Sequence, residues 1–130
     1  MIELARSIAA ILLLIYSVAP VNAQPPSFVN DVQPLLTRLG CNQGACHGKG
    51  SGQNGFRLSL RAYAPEWDHA WITREFITRR INPTNPESSL LLTKPTGEAA
   101  HEGGVLMAKG SREYQVLLDW IRAGAPGIVK

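Results

Sequence analysis

The chain has 130 residues, 13 of them Lys or Arg and 10 Asp or Glu, for a formal charge of +3, with 45% hydrophobic and 18% charged residues. That length holds one globular domain, and the composition is too apolar and too weakly charged for a disordered tail. Two cysteines cannot supply the four thiolates of an iron–sulfur cluster or of an all-thiolate zinc site, and no run of like charge beyond Arg79-Arg80 offers a footprint for nucleic acid.

Residues 1–23 read as a secretory signal peptide. A short polar opening precedes the apolar run 8–18, Pro20 breaks it, and Val21-Asn22-Ala23 offers a small-residue cleavage site. The run is shorter than the roughly 20 apolar residues a spanning helix needs. Glu3 offsets Arg6, so an uncleaved N-terminal anchor is the alternative. The expectation is export to the periplasm, with no stable membrane span once the leader is removed. Exported thiols meet an oxidising compartment, so Cys41 and Cys46 are expected to be bridged, metal-bound or otherwise consumed. A small domain rich in Gly and Pro buries a modest core and commonly needs a staple or a cofactor.

Residues 24–27 form a short Pro-rich lead-in, and 28–130 the folded domain. Phe28, Val32, Leu35, Leu36 and Leu39 follow i, i+4, i+7, i+8, i+11, one stripe of a helix. Ser27, Asn30 and Asp31 are candidate caps; with Asp31 as cap, Pro34 falls in the first turn. Gly40 is expected to end the helix. Residues 40–55 hold six glycines and no hydrophobic period, which predicts a loop. Phe56 to Leu60 alternates as a brief extended segment. Pro65 opens a second helix with Trp67, Ala70 and Trp71 on one face. Residues 76–82 are ambiguous between helix and strand. Asn85 as cap and Pro86 at N1 predict a helix leading into Leu90-Leu91-Leu92. Residues 94–110 form a second irregular loop. Ser111 caps a last helix with Glu113 in its first turn, Tyr114, Leu117, Leu118 and Ile121 on its buried face, and Gly124 with Pro126 as its stop. The chain is expected to be all-α.

The chemistry concentrates in Cys41-Asn42-Gln43-Gly44-Ala45-Cys46-His47, a C-x4-C-H arrangement directly after an amphipathic helix. Two cysteines can attach a haem through thioether bonds, and a histidine after the second then lies under the iron as an axial ligand. The usual attachment signature has two intervening residues; four demand a bulged loop, for which Gly44 and Ala45 supply a small, permissive backbone. The same cysteines also suit a Cys41–Cys46 disulfide or thiol–disulfide redox chemistry. A zinc site from Cys41, Cys46, His47 and His101 is a further alternative, although its spacing matches no common finger.

Longer stretches carry a resemblance. Phe28-x-x-Asp31-Val32-x-Pro34-Leu35-Leu36 is followed by Cys41-Asn42-x-Gly44-x-Cys46-His47-Gly48 and Gly55-Phe56-Arg57-Leu58-Ser59-Leu60-Arg61. Then come Arg79-Arg80-Ile81-Asn82, Pro86-Glu87-Ser88-Ser89-Leu90-Leu91, His101-x-Gly103-Gly104 and Trp120-Ile121-x-x-Gly124-Ala125. Together they resemble the planctomycete-type cytochrome c domain, in the branch with the widened C-x4-C-H motif, from Phe28 to Pro126. The resemblance implies a small, all-α, cytochrome c-like domain wrapped around one covalently bound haem c.

On that reading Cys41 and Cys46 bind the haem and His47 is the proximal iron ligand. The loop 94–110 offers two distal candidates. His101 is favoured because it stands in the His-x-Gly-Gly element; Met107 is the alternative, being the choice of ordinary cytochromes c. Each also has an ordinary reading, as a surface histidine or a core methionine. His69 reads as solvated. Arg79 and Arg80 are candidate partners of the haem propionates, because guanidinium grips carboxylate in a fork, although single arginines usually sit on solvated faces. The expected function is one-electron transfer to redox partner proteins by an exported monohaem cytochrome. The alternatives are a thiol–disulfide protein using Cys41 and Cys46, or a haem-based sensor with an open axial site. No acid–base pair or nucleophile constellation marks an enzyme.

Overall fold

The computed structural model describes residues 24–76 and 79–128. The leader assigned to residues 1–23 lies outside the described residues, as do positions 77 and 78 in the ambiguous stretch. The fold is all-α: among the described residues the only extended pairing is an isolated bridge between Gln53 and Phe56.

A π-helical turn, Phe28–Val32, runs without a break into α1, Gln33–Arg38. Ser27 is the cap, not Asp31. The Ser27 hydroxyl accepts from the Asn30 amide at 3.3 Å, while Asp31 reaches back to accept the Ser27 N–H at 2.7 Å. Pro34 accounts for the widened turn: it has no N–H for the Asn30 carbonyl, and its ring would press on that group in a regular helix. The i→i−5 bonds Val32 N–H to Ser27 and Gln33 N–H to Phe28 open the turn instead. The helix ends as expected at Gly40, whose φ is +80°. Cys41 N–H bonds the Leu36 carbonyl at 2.9 Å and Gly40 N–H that of Thr37 at 3.0 Å, a Schellman closure. This closure delivers Cys41 directly at the helix end.

The remaining helices are α2, Pro65–Thr73, the single turn α3, Leu90–Thr93, and α4, Arg112–Arg122, with 3-10 turns at Leu60–Ala62 and Pro86–Ser88. Ser111 caps α4 by accepting the Tyr114 N–H at 3.2 Å. The buried side of α4 is Tyr114, Leu117, Leu118, Trp120 and Ile121, and it packs against the π-helical turn Phe28–Val32. Phe28 meets Trp120 at a ring-centroid distance of 5.6 Å. Burying a side chain such as Phe28 is worth about 1.5–3 kcal/mol, so the π-helical turn and α4 form the structural base.

Three expectations need correction. His69 is not a solvated bystander: its ring stands edge-on to Phe28 (5.1 Å) and Trp120 (6.0 Å), and its Nε2 bonds the Ala125 carbonyl at 2.9 Å. The inner face of α2 is Asp68 and Ile72, while Trp67 is 58% exposed. Asp68 is tolerated inside because its carboxylate accepts from Ser59 N–H (2.5 Å), Ser59 Oγ (2.7 Å) and Gln33 Nε2 (2.9 Å). Trp67 and Trp71 instead pair with each other outside, with Arg57 over Trp71 at 4.1 Å. Finally, no single helix runs from Pro86 to Leu92. Buried Ser89 is extended, with its hydroxyl accepting the Asn82 N–H at 2.9 Å. Asn85 is the cap position of the Pro86–Ser88 turn, as expected, but makes no side-chain bond to it; Asn82 Oδ1 takes the amides of Thr84 and Asn85 at 3.0 Å each, just before the turn.

Candidate functional site

The loop after α1 is held by its backbone. His47 N–H donates to Cys41 C=O at 3.0 Å and Gly48 N–H to Gln43 C=O at 2.9 Å, so the C-x4-C-H segment closes on itself. The His47 carbonyl accepts from Leu58 N–H at 2.8 Å, and the Asn42 carbonyl from Arg61 N–H at 3.2 Å, tying the loop to the next stretch of chain. Two glycines make this possible. A Cβ on Gly48 would lie 2.0 Å from the Asn42 oxygen, and one on Gly52, at φ +64°, 2.3 Å from the Phe56 oxygen. Asn42 is buried, with Nδ2 on Thr37 Oγ1 at 2.8 Å and Oδ1 unpaired. The widened spacing thus forms a compact loop, with Cys41 and Cys46 half-buried on either side of it.

Burial pushes the Cys41 thiol up to about 11, with the neighbouring Cys46 adding to the effect. At neutral pH it is a thiol, the opposite of the lowered pKa that activates a disulfide-exchange cysteine. A zinc site finds no support in the arrangement: among the described residues no three His, Cys, Asp or Glu side chains are grouped to hold a metal ion.

His47 is held at one ring nitrogen and by a neighbouring aromatic ring. Its Nδ1 lies 3.0 Å from the Phe56 carbonyl, which can only accept, so Nδ1 carries the proton and Nε2 the lone pair. The ring packs on the Phe56 ring at 4.6 Å. Burial lowers the His47 pKa, and the positive surroundings of His101, Arg80 and Lys94 lower it further, outweighing the opposite pull of the Phe56 carbonyl. The imidazole is therefore neutral, the form that binds metal.

His101 is built to the same pattern by a four-residue turn. Its Nδ1 lies 3.0 Å from the Gly104 carbonyl, and Gly104 N–H donates to the His101 carbonyl at 3.0 Å. Gly104 has φ +75°. Gly103 leaves room for the ring: a Cβ there would stand 2.8 Å from His101 Cε1 and 3.2 Å from Nε2. The two imidazoles are brought together with ring centroids 6.4 Å apart and planes within 8° of parallel. Both histidines also have Nδ1 tied to a carbonyl, the outer hydrogen bond that metal-ligating imidazoles characteristically make.

The other sequence candidates fall elsewhere. Met107 is 6% exposed and belongs to the apolar core, beneath a loop whose Leu106 and Met107 amides both bond the Pro95 carbonyl. Arg80 requires a correction. Its guanidinium is buried and its terminal nitrogens bond the carbonyls of Trp71 (2.8 Å), Glu75 (3.0 Å) and Gly55, so they are not offered to an external carboxylate. Arg79 is exposed and keeps that possibility. Neither of two shallow cavities, of about 440 and 320 Å³, is lined by Cys41, Cys46, His47 or His101. Sequence reasoning missed Phe56 as the acceptor behind His47; the acceptor is a backbone carbonyl, which leaves no residue-type signal. Among the described residues no helix is long and apolar enough to cross a membrane.

No protein-family profile, curated protein or solved structure matches this chain.

Proposed function

We propose that this chain is an exported c-type cytochrome domain that carries single electrons through one haem, bound covalently by Cys41 and Cys46 and held axially by His47 and His101. The observation that carries the reading is the matched pair of imidazoles. They stand 6.4 Å apart and near-parallel, each with Nδ1 held by a backbone carbonyl. The thiol chemistry agrees with it: Cys41, at about 11, is poorly suited to disulfide exchange, whereas a half-buried thiol beside an axial histidine is placed for attachment to a vinyl group. His101 is preferred to Met107 because Met107 is occupied in the core.

The bound group supplies reversible Fe(III)/Fe(II) chemistry. The protein supplies its setting. The Phe56 and Gly104 carbonyls fix both imidazole tautomers and raise ligand basicity. The closed loop from Cys41 to Gly48 fixes the position of the proximal ring relative to both sulfurs. Paired imidazole ligands favour a lower reduction potential than a His/Met pair. Ligation by both His47 and His101 would leave no position for an exogenous ligand, which separates this reading from a gas or peroxide sensor.

The test is mass and visible spectrum of protein produced with a haem-maturation system. The expected result is the mass of one covalent haem added to the chain and a sharp low-spin α-band on reduction. His101→Ala should convert the band to a five-coordinate form that binds carbon monoxide. A colourless protein two hydrogens lighter than the reduced chain would establish the disulfide instead.

A further inference from the structure

We propose that Arg80 is the positioning residue for His47: its buried guanidinium clamps Phe56, whose carbonyl takes the His47 Nδ1–H, and its fixed charge favours the reduced state of the site. The inference rests on the reading of His47 as an iron ligand.

The geometry is a chain of three contacts. The guanidinium carbon lies 4.7 Å from the centroid of the Phe56 ring, and that ring lies 4.6 Å from the His47 ring. One terminal nitrogen bonds the carbonyl of Gly55, the residue immediately before Phe56. Phe56 is thus held through its ring and through the preceding peptide by a single side chain. Phe76 closes the outer side, 5.5 Å from the guanidinium carbon, at a φ of +48° and with 65% of its surface exposed. A non-glycine in the left-handed region with an exposed aromatic ring is unfavourable by itself; the cation beneath it gives that conformation a partner.

The charge is poorly compensated. Arg80 Nε is buried without a hydrogen-bond partner. The carboxylate of Glu75 lies 3.8 Å away but is 42% exposed, so water screens it. A desolvated cation with an orphaned donor is a costly means of filling space. Behind a metal ligand it has a definite effect, since a fixed positive charge disfavours the more positive oxidation state.

The test compares holoprotein of wild type, Arg80→Met, Arg80→Lys and Glu75→Gln in a poised redox titration, with solvent exchange of the His47 Nδ1–H followed by NMR in the reduced form. At the wild-type midpoint, Arg80→Met should lower the reduced-to-oxidised ratio roughly tenfold. Arg80→Lys should retain most of the ratio, and Glu75→Gln, whose charge water already screens, should change it by less than about twofold. Nδ1–H exchange should accelerate in both Arg80 variants, because neither retains the fork that fixes Gly55 and Phe56. An unchanged ratio in folded, haem-loaded Arg80→Met overturns the electrostatic part. If that variant does not fold, a tenfold loss of the ratio in folded, haem-loaded Arg80→Lys, which keeps the charge, does so. Unchanged exchange in Arg80→Lys overturns the positioning part. Wild type without haem overturns the underlying reading and this inference with it, a result seen before any variant is compared.

Discussion

The two histidine loops reach the same hydrogen-bond pattern by different construction. The loop that carries His47 is fixed on several sides: a Schellman closure delivers Cys41, backbone bonds join Cys41 to His47 and His47 to Leu58, and Gly48 and Gly52 allow contacts closer than any Cβ permits. The loop that carries His101 is tied on either side of the histidine, by Ala99 N–H to the Thr93 carbonyl and by the Leu106 and Met107 amides to that of Pro95, but the His101 ring itself is held by one turn, with Gly103 and Gly104 exposed. The difference teaches that the first imidazole is set by the fold, whereas the second is set by its own four residues. A site of this kind should tolerate perturbation on the His101 side and fail as a unit on the His47 side.

The sharpest way to break that comparison is Gly48→Ala. Its Cβ would meet backbone 2.0 Å away, so the loop must open, at an expected cost of more than about 4 kcal/mol in stability. Thermal unfolding and the yield of haem-bearing protein measure it; a normally loaded, stable variant would show that the loop is not the rigid member. Met107→Ala comes next. A buried methionine reduced to alanine should cost about 2–5 kcal/mol while the visible spectrum stays low-spin, because Met107 serves the core. Loss of the low-spin spectrum with stability unchanged would make Met107 the ligand.

Gly103→Ala probes the weaker loop alone. A methyl 2.8 Å from His101 Cε1 must displace the ring, so imidazole or cyanide should replace His101 roughly tenfold more readily with little change in melting. Equal displacement in wild type and variant would contradict the role given to that glycine. The smallest effect belongs to Ser111→Ala at the cap of α4, about 1 kcal/mol, with the spectrum untouched. A spectral change there would mean that the helical base and the site are not separable.

Local signals in the sequence account for much of this fold. Gly40 ends the first helix and Ser111 begins the last because each works through bonds to its immediate neighbours. The inner face of α2 is not legible in that way. Asp68 is buried only because Gln33, 35 positions earlier, and Ser59 satisfy it, and no period within α2 records those partners. The break at Ser89 has the same origin, in a hydroxyl bonded to Asn82. At the site, Cys41, Cys46 and His47 are visible through spacing, and His101 through the glycines that follow it. Arg80 is visible as an arginine but not in its use, since its partners are backbone carbonyls brought together from two segments, the end of α2 and the loop before Phe56.

The central claim, two near-parallel imidazoles on one iron, is tested most directly by electron paramagnetic resonance of the oxidised, matured protein. Planes within 8° of each other should give a rhombic low-spin signal. A high-spin signal, or a low-spin one accompanied by the near-infrared band of methionine ligation, would contradict the account.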